Sequence, residues 1–191
     1  MASSSTNQAV LAMIVQFLKE ENLIESAHSL ERESGCIFDM KYFEVMVLEG
    51  ELDEAEKYLS GFIRIHDNLD STRIFFELRK QKFLEALDKN ERHKALDILT
   101  NEFKDFMPYS DTIYRDATLL LTLDDFRRCG ALSKYGNAKA ERQFMMNALK
   151  KLFTENPRLR LKMQPPTFKN SNFLRRLVLG DSKRSTNARL N

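Results

Sequence analysis

The sequence predicts an all-α protein of about nine or ten helices. Apolar residues recur at spacings of three and four in almost every segment before residue 155, and the alternating pattern of β-strands is nearly absent. The 191 residues include only six glycines and four prolines, and three of the prolines, Pro157, Pro165 and Pro166, come late. Little therefore interrupts a helical body, which is long enough for one good core or two small ones.

The first four predicted helices occupy the first third of the chain. Val10, Ile14 and Phe17 share one face of the first helix, and the second runs from about residue 23 to 33 with Gly35 as its C-cap. The stretches "FDMKYFEVMVLEG" and "LDEAEKYLSG" predict the third and fourth helices, each ending before a glycine. Isolated helices shorter than about 12–15 residues are marginal in water. The apolar faces of the first two helices must therefore be buried, either on the body or on a second copy.

The fifth predicted helix, "RIFFELRKQKFLEAL" (residues 73–87), mixes aromatic rings and cations on one face. At 100° per residue, Phe76 and Phe83 fall on one line, and Arg73 and Lys80 land beside them. Long cationic side chains can cover apolar surface while their charged heads reach water. The face is therefore either the edge of the core, with snorkelling cations, or a groove with an aromatic floor and a cationic rim. Such a groove would take an apolar peptide that carries acidic residues or free carbonyl groups.

The remaining segments repeat the helical pattern with a few breaks. Asp70 or Ser71 is placed to cap the fifth helix. Pro157 and the Pro165–Pro166 pair prevent the long helix before them from continuing. The later helices are predicted at about residues 91–103, 110–123, 123–132, 139–155 and 172–179.

No motif for catalysis, metal binding or cofactor binding is present in the sequence. The phosphate-binding patterns GxGxxG and GxxxxGK are missing, and Cys36 and Cys129 offer no CxxC spacing. His28, His66 and His93 stand alone, outside any nucleophile motif. We expect no metal, no cofactor and no enzymatic activity.

Composition and charge describe an ordinary globular protein with a basic end. Hydrophobic residues make up 42% and charged residues 30%, and no apolar run is long enough to span a bilayer. Residues 1–157 hold 21 Lys and Arg against 27 Asp and Glu, whereas residues 158–191 hold nine against one. The basic end is either simply solvated, or it contacts nucleic acid or serves as an import signal. The acidic body is not expected to bind DNA sequence-specifically.

Long colinear stretches resemble a known family. The stretch "LAMIVQFLKEENLIESAHSLERESG" resembles a LisH dimerisation motif, and "FDMKYFEVMVLEGELDEAEKYLSGF" resembles the CTLH motif that follows it. With "LLTLDDFR", "LSKYG" and "NPRLRLKMQPPTFKNS", the chain is similar to the N-terminal domain of plant TOPLESS-type transcriptional corepressors. This resemblance divides the chain into a LisH motif at residues 8–36, a CTLH region at 37–95 and a CRA-like helical region at 96–180. The polar, basic tail at 181–191 is expected from its composition to be disordered.

The resemblance implies a nuclear corepressor module that binds peptides and forms homo-oligomers. Its ligands would be EAR motifs, the LxLxL peptides of transcriptional repressors and adaptor proteins, and it would form dimers that assemble further into tetramers. Carried over by position, the peptide groove comprises Arg73, Phe76, Lys80, Phe106, Ile113, Leu120, Leu132 and Leu152. Dimerisation would use Ile14, Phe17, Leu18 and Leu30, and the tetramer contact Lys104, Thr118, Leu119 and Asp124.

The sequence departs from the family pattern at three positions and in its length. Leu69 stands where relatives carry a third rim cation, Pro165 replaces an aromatic residue, and Leu119 replaces a polar residue at the tetramer contact. Family members continue into long WD40 propellers, so the 191 residues are expected to be either a fragment or a naturally short member. A short member could compete with full-length relatives. Two further alternatives stay open, a scaffold subunit of a ubiquitin-ligase assembly and an enzyme.

Overall fold

The structure, a computed structural model, describes residues 2–163, with side chains from residue 7 onward. Within these residues the protein has nine α-helices and no strand, which confirms the predicted all-α fold class. The helices are α1 (Ala2–Glu20), α2 (Ile24–Ser34), α3 (Met40–Glu49), α4 (Leu52–Leu59), α5 (Leu69–Asp88), α6 (Arg92–Asp97), α7 (Asp111–Thr122), α8 (Ala138–Glu155) and α9 (Pro157–Lys162).

Capping residues determine where helices α2 and α3 end and where helix α5 begins. Gly35 closes α2 with φ +60°, as predicted, and Gly50 closes α3 with φ +89°; both adopt the left-handed conformation that glycine tolerates best. The predicted cap of α5 was wrong. Asn68 is the N-cap, and its side chain accepts a 2.8 Å hydrogen bond from the Ser71 backbone N–H. Because α5 begins at residue 69, Asp70 already lies inside the first turn, where a carboxylate favours the helix dipole.

Three other segments differ from the predicted pattern. Helix α1 begins far earlier than the first apolar positions suggested. The predicted helix at 91–103 changes form: α6 continues as one π-helical turn, Ile98–Glu102, and then a 3₁₀ helix, Phe103–Phe106. The segment 123–132 forms two 3₁₀ turns instead of an α-helix, Phe126–Arg128 and Gly130–Leu132. Pro157 ends α8 as predicted, but it also starts α9 at a position where its missing N–H costs nothing.

The described residues form two hydrophobic cores of very different size. Helices α1 and α2 enclose a small one built on Ala12, Val15, Ala27 and Ile37. The main core contains buried residues from Phe38 through to α9. The predicted CTLH and CRA-like regions, which meet between residues 95 and 96, therefore share one hydrophobic core. Helix α5 lies at the centre of the main core, with buried residues on both sides of it.

A polar cluster joins the α1–α2 hairpin to the main body. Lys19 Nζ lies 2.8 Å from Glu31 Oε1 and 2.5 Å from Asp39 Oδ2, and the Tyr58 hydroxyl donates a 2.8 Å hydrogen bond to Glu31. The Glu31 side chain is completely buried. His28 also contacts Glu31, so one possible metal-ligand atom from each of His28, Glu31 and Asp39 lies in this cluster. The Lys19 ammonium, however, already supplies a positive charge to the two carboxylates. Burial alone would raise the pKa of Asp39, yet the hydrogen bonds from Lys19 and from the Tyr42 backbone N–H, together with the positive charge of Lys19, outweigh burial and hold that pKa below its ordinary value.

Some sequence predictions lie outside the described residues. These are the substitution at Pro165, the helix at 172–179 and the basic tail at 181–191. Among the helices of residues 2–163, none combines the length and the apolar character needed to cross a membrane.

Candidate functional site

Five of the eight predicted groove residues line one open cleft of about 150 Å³. Helix α5 forms one wall and α7 the other, and the Phe103–Phe106 and Gly130–Leu132 turns complete it. The predicted residues that line the cleft are Phe76 and Lys80 on α5, Ile113 and Leu120 on α7, and Leu132.

The floor of the cleft is a set of interlocked aromatic rings. The Phe76 ring meets Phe106 edge to face, with centroids 5.2 Å apart and planes at 83°, and lies 6.1 Å from the Phe103 ring. Phe83 lies 5.4 Å from Phe103 on the other side. Such pairs contribute about 0.5–1.5 kcal/mol each beyond the area that they bury. Phe83 and Phe103 also line the cleft but are buried, whereas Phe76 remains half-buried, so its ring is the most exposed part of the floor.

Arg79 fixes the aromatic floor to α5. Its guanidinium donates 2.7 Å hydrogen bonds to the backbone carbonyl of Glu102 and to the Asp105 carboxylate, and a 2.8 Å bond to Glu56. It also lies 5.5 Å from the centroid of the Phe106 ring. The π-helical turn leaves backbone carbonyls to be satisfied, and Arg79 satisfies that of Glu102. No sequence signal distinguished this residue, because its partners are more than 20 positions away.

The two rim cations have different surroundings. Lys80 Nζ lies 5.6 Å from the centroid of the Phe76 ring and forms a 2.5 Å ion pair with Glu77. Arg73 is exposed, and within the described part of the chain no hydrogen bond or ion pair reaches its side chain. It lies one helical turn before Phe76, about 4.5 Å along the axis. A ligand carboxylate could pair with Arg73 directly, whereas at Lys80 it must compete with Glu77.

Three predicted groove residues do not line the cleft. Phe106 is buried beneath Phe76 and supports the floor from behind. Arg73 lies beyond the cleft at the start of α5. Leu152 is half-buried on α8, where it packs against the main core.

Five residues that line the cleft were not predicted as groove residues: Phe83, Leu84, Phe103, Asp116 and Ala117. The α5 pattern already put Phe83 on the line of Phe76, and the spacing 113, 116, 120 puts Asp116 on the cleft face of α7. Phe103 could not be found in this way, because the switch from α6 to the π-helical turn changes the direction of its side chain.

The residues predicted for dimerisation are all on the α1–α2 hairpin and half-buried in the single chain. Leu18 and Leu30 pack against the small core, whereas Ile14 and Phe17 are not among the residues that pack on it. The hairpin also exposes three apolar side chains that were not predicted for dimerisation: Val10 at 49%, Leu23 at 51% and Ile24 at 41%.

The four residues predicted for the tetramer contact are exposed. Leu119 is 56% accessible and follows Thr118 on α7, and Lys104 lies on the 3₁₀ helix beside it. The Asp124 side chain is 92% exposed and lies 3.9 Å from Arg92. These residues are therefore accessible to another protomer.

Comparison with known proteins identifies one matching domain family and several similar proteins. Residues 39–163 match the TPR1-like, CTLH-containing domain family. Topless-related protein 2 and Protein TOPLESS, both from Arabidopsis thaliana, are each 50% identical over 175 residues, which is 92% of this chain and 15% of each relative. The WD repeat-containing protein 26 homolog of Drosophila melanogaster is 32% identical over 103 residues, which is 51% of this chain and 16% of that protein. The chain thus spans about 15% of the length of the TOPLESS relatives.

Proposed function

Because this chain belongs to the TOPLESS family of transcriptional corepressors, we propose that it is a nuclear, non-enzymatic module that binds EAR-type LxLxL peptides and self-associates. Its partners would be repressors and adaptor proteins that carry such peptides, and its own full-length relatives. The single observation that supports peptide binding best is the open cleft between α5 and α7, with the exposed side of Phe76 as its floor.

The chemistry of the cleft suits leucine side chains on an extended peptide. Alternate residues of an extended chain point to the same side, so the leucines of LxLxL can all face the floor. Each buried leucine contributes about 1.5–3 kcal/mol, and association with ordering of the peptide costs several kcal/mol. We therefore expect dissociation constants of the order of micromolar.

The size of the cleft limits how much of the peptide it can hold. At about 150 Å³ it is smaller than the roughly 300–1,000 Å³ pockets that enclose drug-sized ligands. The peptide would therefore lie across the surface and insert side chains. We propose that its ends extend past the cleft, where Arg73 holds carbonyl or carboxylate groups and Leu152 contacts an outer apolar residue.

Self-association is proposed from the hairpin and from α7. The small core of α1 and α2 leaves Val10, Leu23 and Ile24 exposed, and a second hairpin would bury them together with Ile14 and Phe17. The tetramer contact is proposed at Lys104, Thr118, Leu119 and Asp124. An exposed leucine at position 119 would make this contact more apolar than a polar residue would.

Calorimetric titration with an LxLxL peptide tests the proposed function. The leucine peptide should bind with a dissociation constant of order micromolar, and the same peptide with three serines should not bind below about millimolar. Equal binding of the two peptides, or binding of neither, would contradict the proposal.

A scaffold role in a ubiquitin-ligase assembly is the alternative. The comparisons support the corepressor role, because the TOPLESS relatives are 50% identical over 92% of the chain. Recovery of ligase subunits without repressors after affinity purification would reverse this preference.

A further inference from the structure

The cleft contains a carboxylate that the pattern of aromatic rings and cations did not anticipate. Asp116 lies on the cleft face of α7, between the apolar residues Ile113 and Leu120. Its neighbours at i−3, i+1 and i+4 all line the same cleft, so its side chain shares their face. Within residues 7–163 no hydrogen bond or ion pair reaches the Asp116 carboxylate.

The unbalanced charge of the residues that line the cleft is therefore negative, whereas a cationic rim would make it positive. Lys80 is the other charged lining residue, and its 2.5 Å ion pair with Glu77 already balances its charge. Arg73 is unpaired but lies beyond the cleft, one turn away. Among the residues that line the cleft, the unbalanced charge is the negative charge of Asp116.

An extended peptide in the cleft would meet different charges on its two sides. With leucines on the floor, the residues between them point away from it and pass the rims formed by α5 and α7. A basic side chain or another hydrogen-bond donor beside α7 could pair with Asp116, whereas an acidic side chain there would be repelled. Acidic residues would be favoured only towards the start of α5, near Arg73.

We propose that Asp116 is a specificity-determining residue that selects LxLxL peptides with a basic residue between two leucines. This proposal rests on the proposed function, because it assumes that LxLxL peptides occupy the cleft. It narrows the class of partner to leucine-rich peptides whose intervening positions are basic and whose acidic residues are confined to one flank.

The test compares five peptides, LQLQL, LKLQL, LQLKL, LELQL and LQLEL, in calorimetric titrations with the whole chain. At one of the two intervening positions, Lys should bind about two- to fivefold more tightly than Glu at low salt, the range of exposed ion pairs. The difference should shrink as the salt concentration rises, because the Debye length falls from about 30 Å at 0.01 M to about 10 Å at 0.1 M. Asp116→Asn should remove the preference at that position and leave binding of LQLQL within about twofold.

Asp111→Asn is the matched control. Asp111 is exposed on the same helix, does not line the cleft, and its substitution changes the net charge by the same amount. This control distinguishes a direct contact between Asp116 and the peptide from the long-range attraction of an acidic protein for basic peptides. If the contact is direct, Asp111→Asn should leave the preference for Lys unchanged. Equal loss in the two variants, or no Lys preference in the wild type, would overturn the role of Asp116 while LQLQL binding still supports the proposed function. Failure of LQLQL itself to bind would remove both proposals.

Discussion

Gly61 lies against the main chain of Arg32, so closely that a Cβ atom at position 61 would overlap the Arg32 carbonyl oxygen. A Cβ at Gly35 would in turn lie 2.7 Å from the Gly61 carbonyl oxygen. The end of α2 thus meets the turn after α4 backbone to backbone. Together with the Lys19–Glu31 ion pair, this contact determines how the α1–α2 hairpin packs on the main body.

Gly61→Ala should destabilise the protein by about 1–3 kcal/mol, the usual effect of forcing an extra methyl group into a packed site. The added methyl group must displace backbone, which cannot rotate away as a side chain can. Gly130→Ala is the control, because a Cβ there has no neighbour within 4 Å, and it should change stability by less than about 0.5 kcal/mol. Chemical denaturation measures both variants, and equal effects would contradict the close approach.

Lys19→Gln should reduce stability at pH 7 by about 1–3 kcal/mol, less than the roughly 3–5 kcal/mol of a fully buried pair, because 31% of the Lys19 side chain is exposed. The Asp39 pKa is lowered in the folded state. The contribution of Asp39 is therefore complete above about pH 4 and is lost as the pH falls through its folded pKa.

The difference between wild type and Lys19→Gln should accordingly shrink below about pH 4, which denaturation at several pH values measures. Lys57→Gln is the control, because its pair with Glu54 is exposed on both sides, and it should cost less than about 0.5 kcal/mol. A difference that grows at low pH would contradict the assignment.

Phe76→Gln should weaken LxLxL binding at least about tenfold, or about 1.4 kcal/mol. The change removes apolar area from the floor and leaves a polar amide in the cleft. Phe144→Gln makes the same chemical change at a ring that is 75% exposed on α8, and it should bind the peptide like wild type. Peptide titration decides the matter, with a thermal melt to show that Phe76→Gln is folded. Equal affinities of the two variants would place the peptide elsewhere.

Ile14→Asp should lower the oligomeric state. A carboxylate on the half-buried face of α1 would have to be desolvated in a hairpin–hairpin interface. Val45→Asp puts the same charge at a 57% exposed apolar residue of α3 and should leave assembly unchanged. Light scattering at tens of micromolar protein, a range that detects weak association, compares them. Persistence of the same oligomer in Ile14→Asp would show that dimerisation uses another surface.

Leu69→Arg should tighten binding of acid-flanked LxLxL peptides by up to about tenfold at low salt and leave neutral-flanked peptides nearly unchanged. Leu69 is 55% exposed as the first residue of α5, one turn before Arg73, so an arginine there would add a second free cation at the same end. Leu161→Arg adds the charge at a 76% exposed site on α9 and should have no selective effect. An equal gain in affinity for the acid-flanked and the neutral-flanked peptide would show that residue 69 does not lie on the rim of the groove.

Helical periodicity was enough to predict most of the secondary structure. The spacing of apolar residues predicted α2, α3, α4 and α8 closely, and the glycine signal predicted the end of α2 at Gly35. It failed where non-local contacts compete with the local pattern. The 91–103 segment leaves the α-helical form where Arg79 satisfies the Glu102 carbonyl, and the cap of α5 moved to Asn68 because the helix begins earlier than its aromatic face.

What the sequence by itself determined is the composition of each helix face, because the 100° step between residues is a local property of the backbone. This step alone places Phe76, Phe83 and Lys80 on one face of α5. Only the tertiary structure decided which faces meet. Packing placed Asp116 on the wall opposite Lys80 and left Leu152 outside the cleft, because the contacts that bring two helix faces together join residues far apart in the chain.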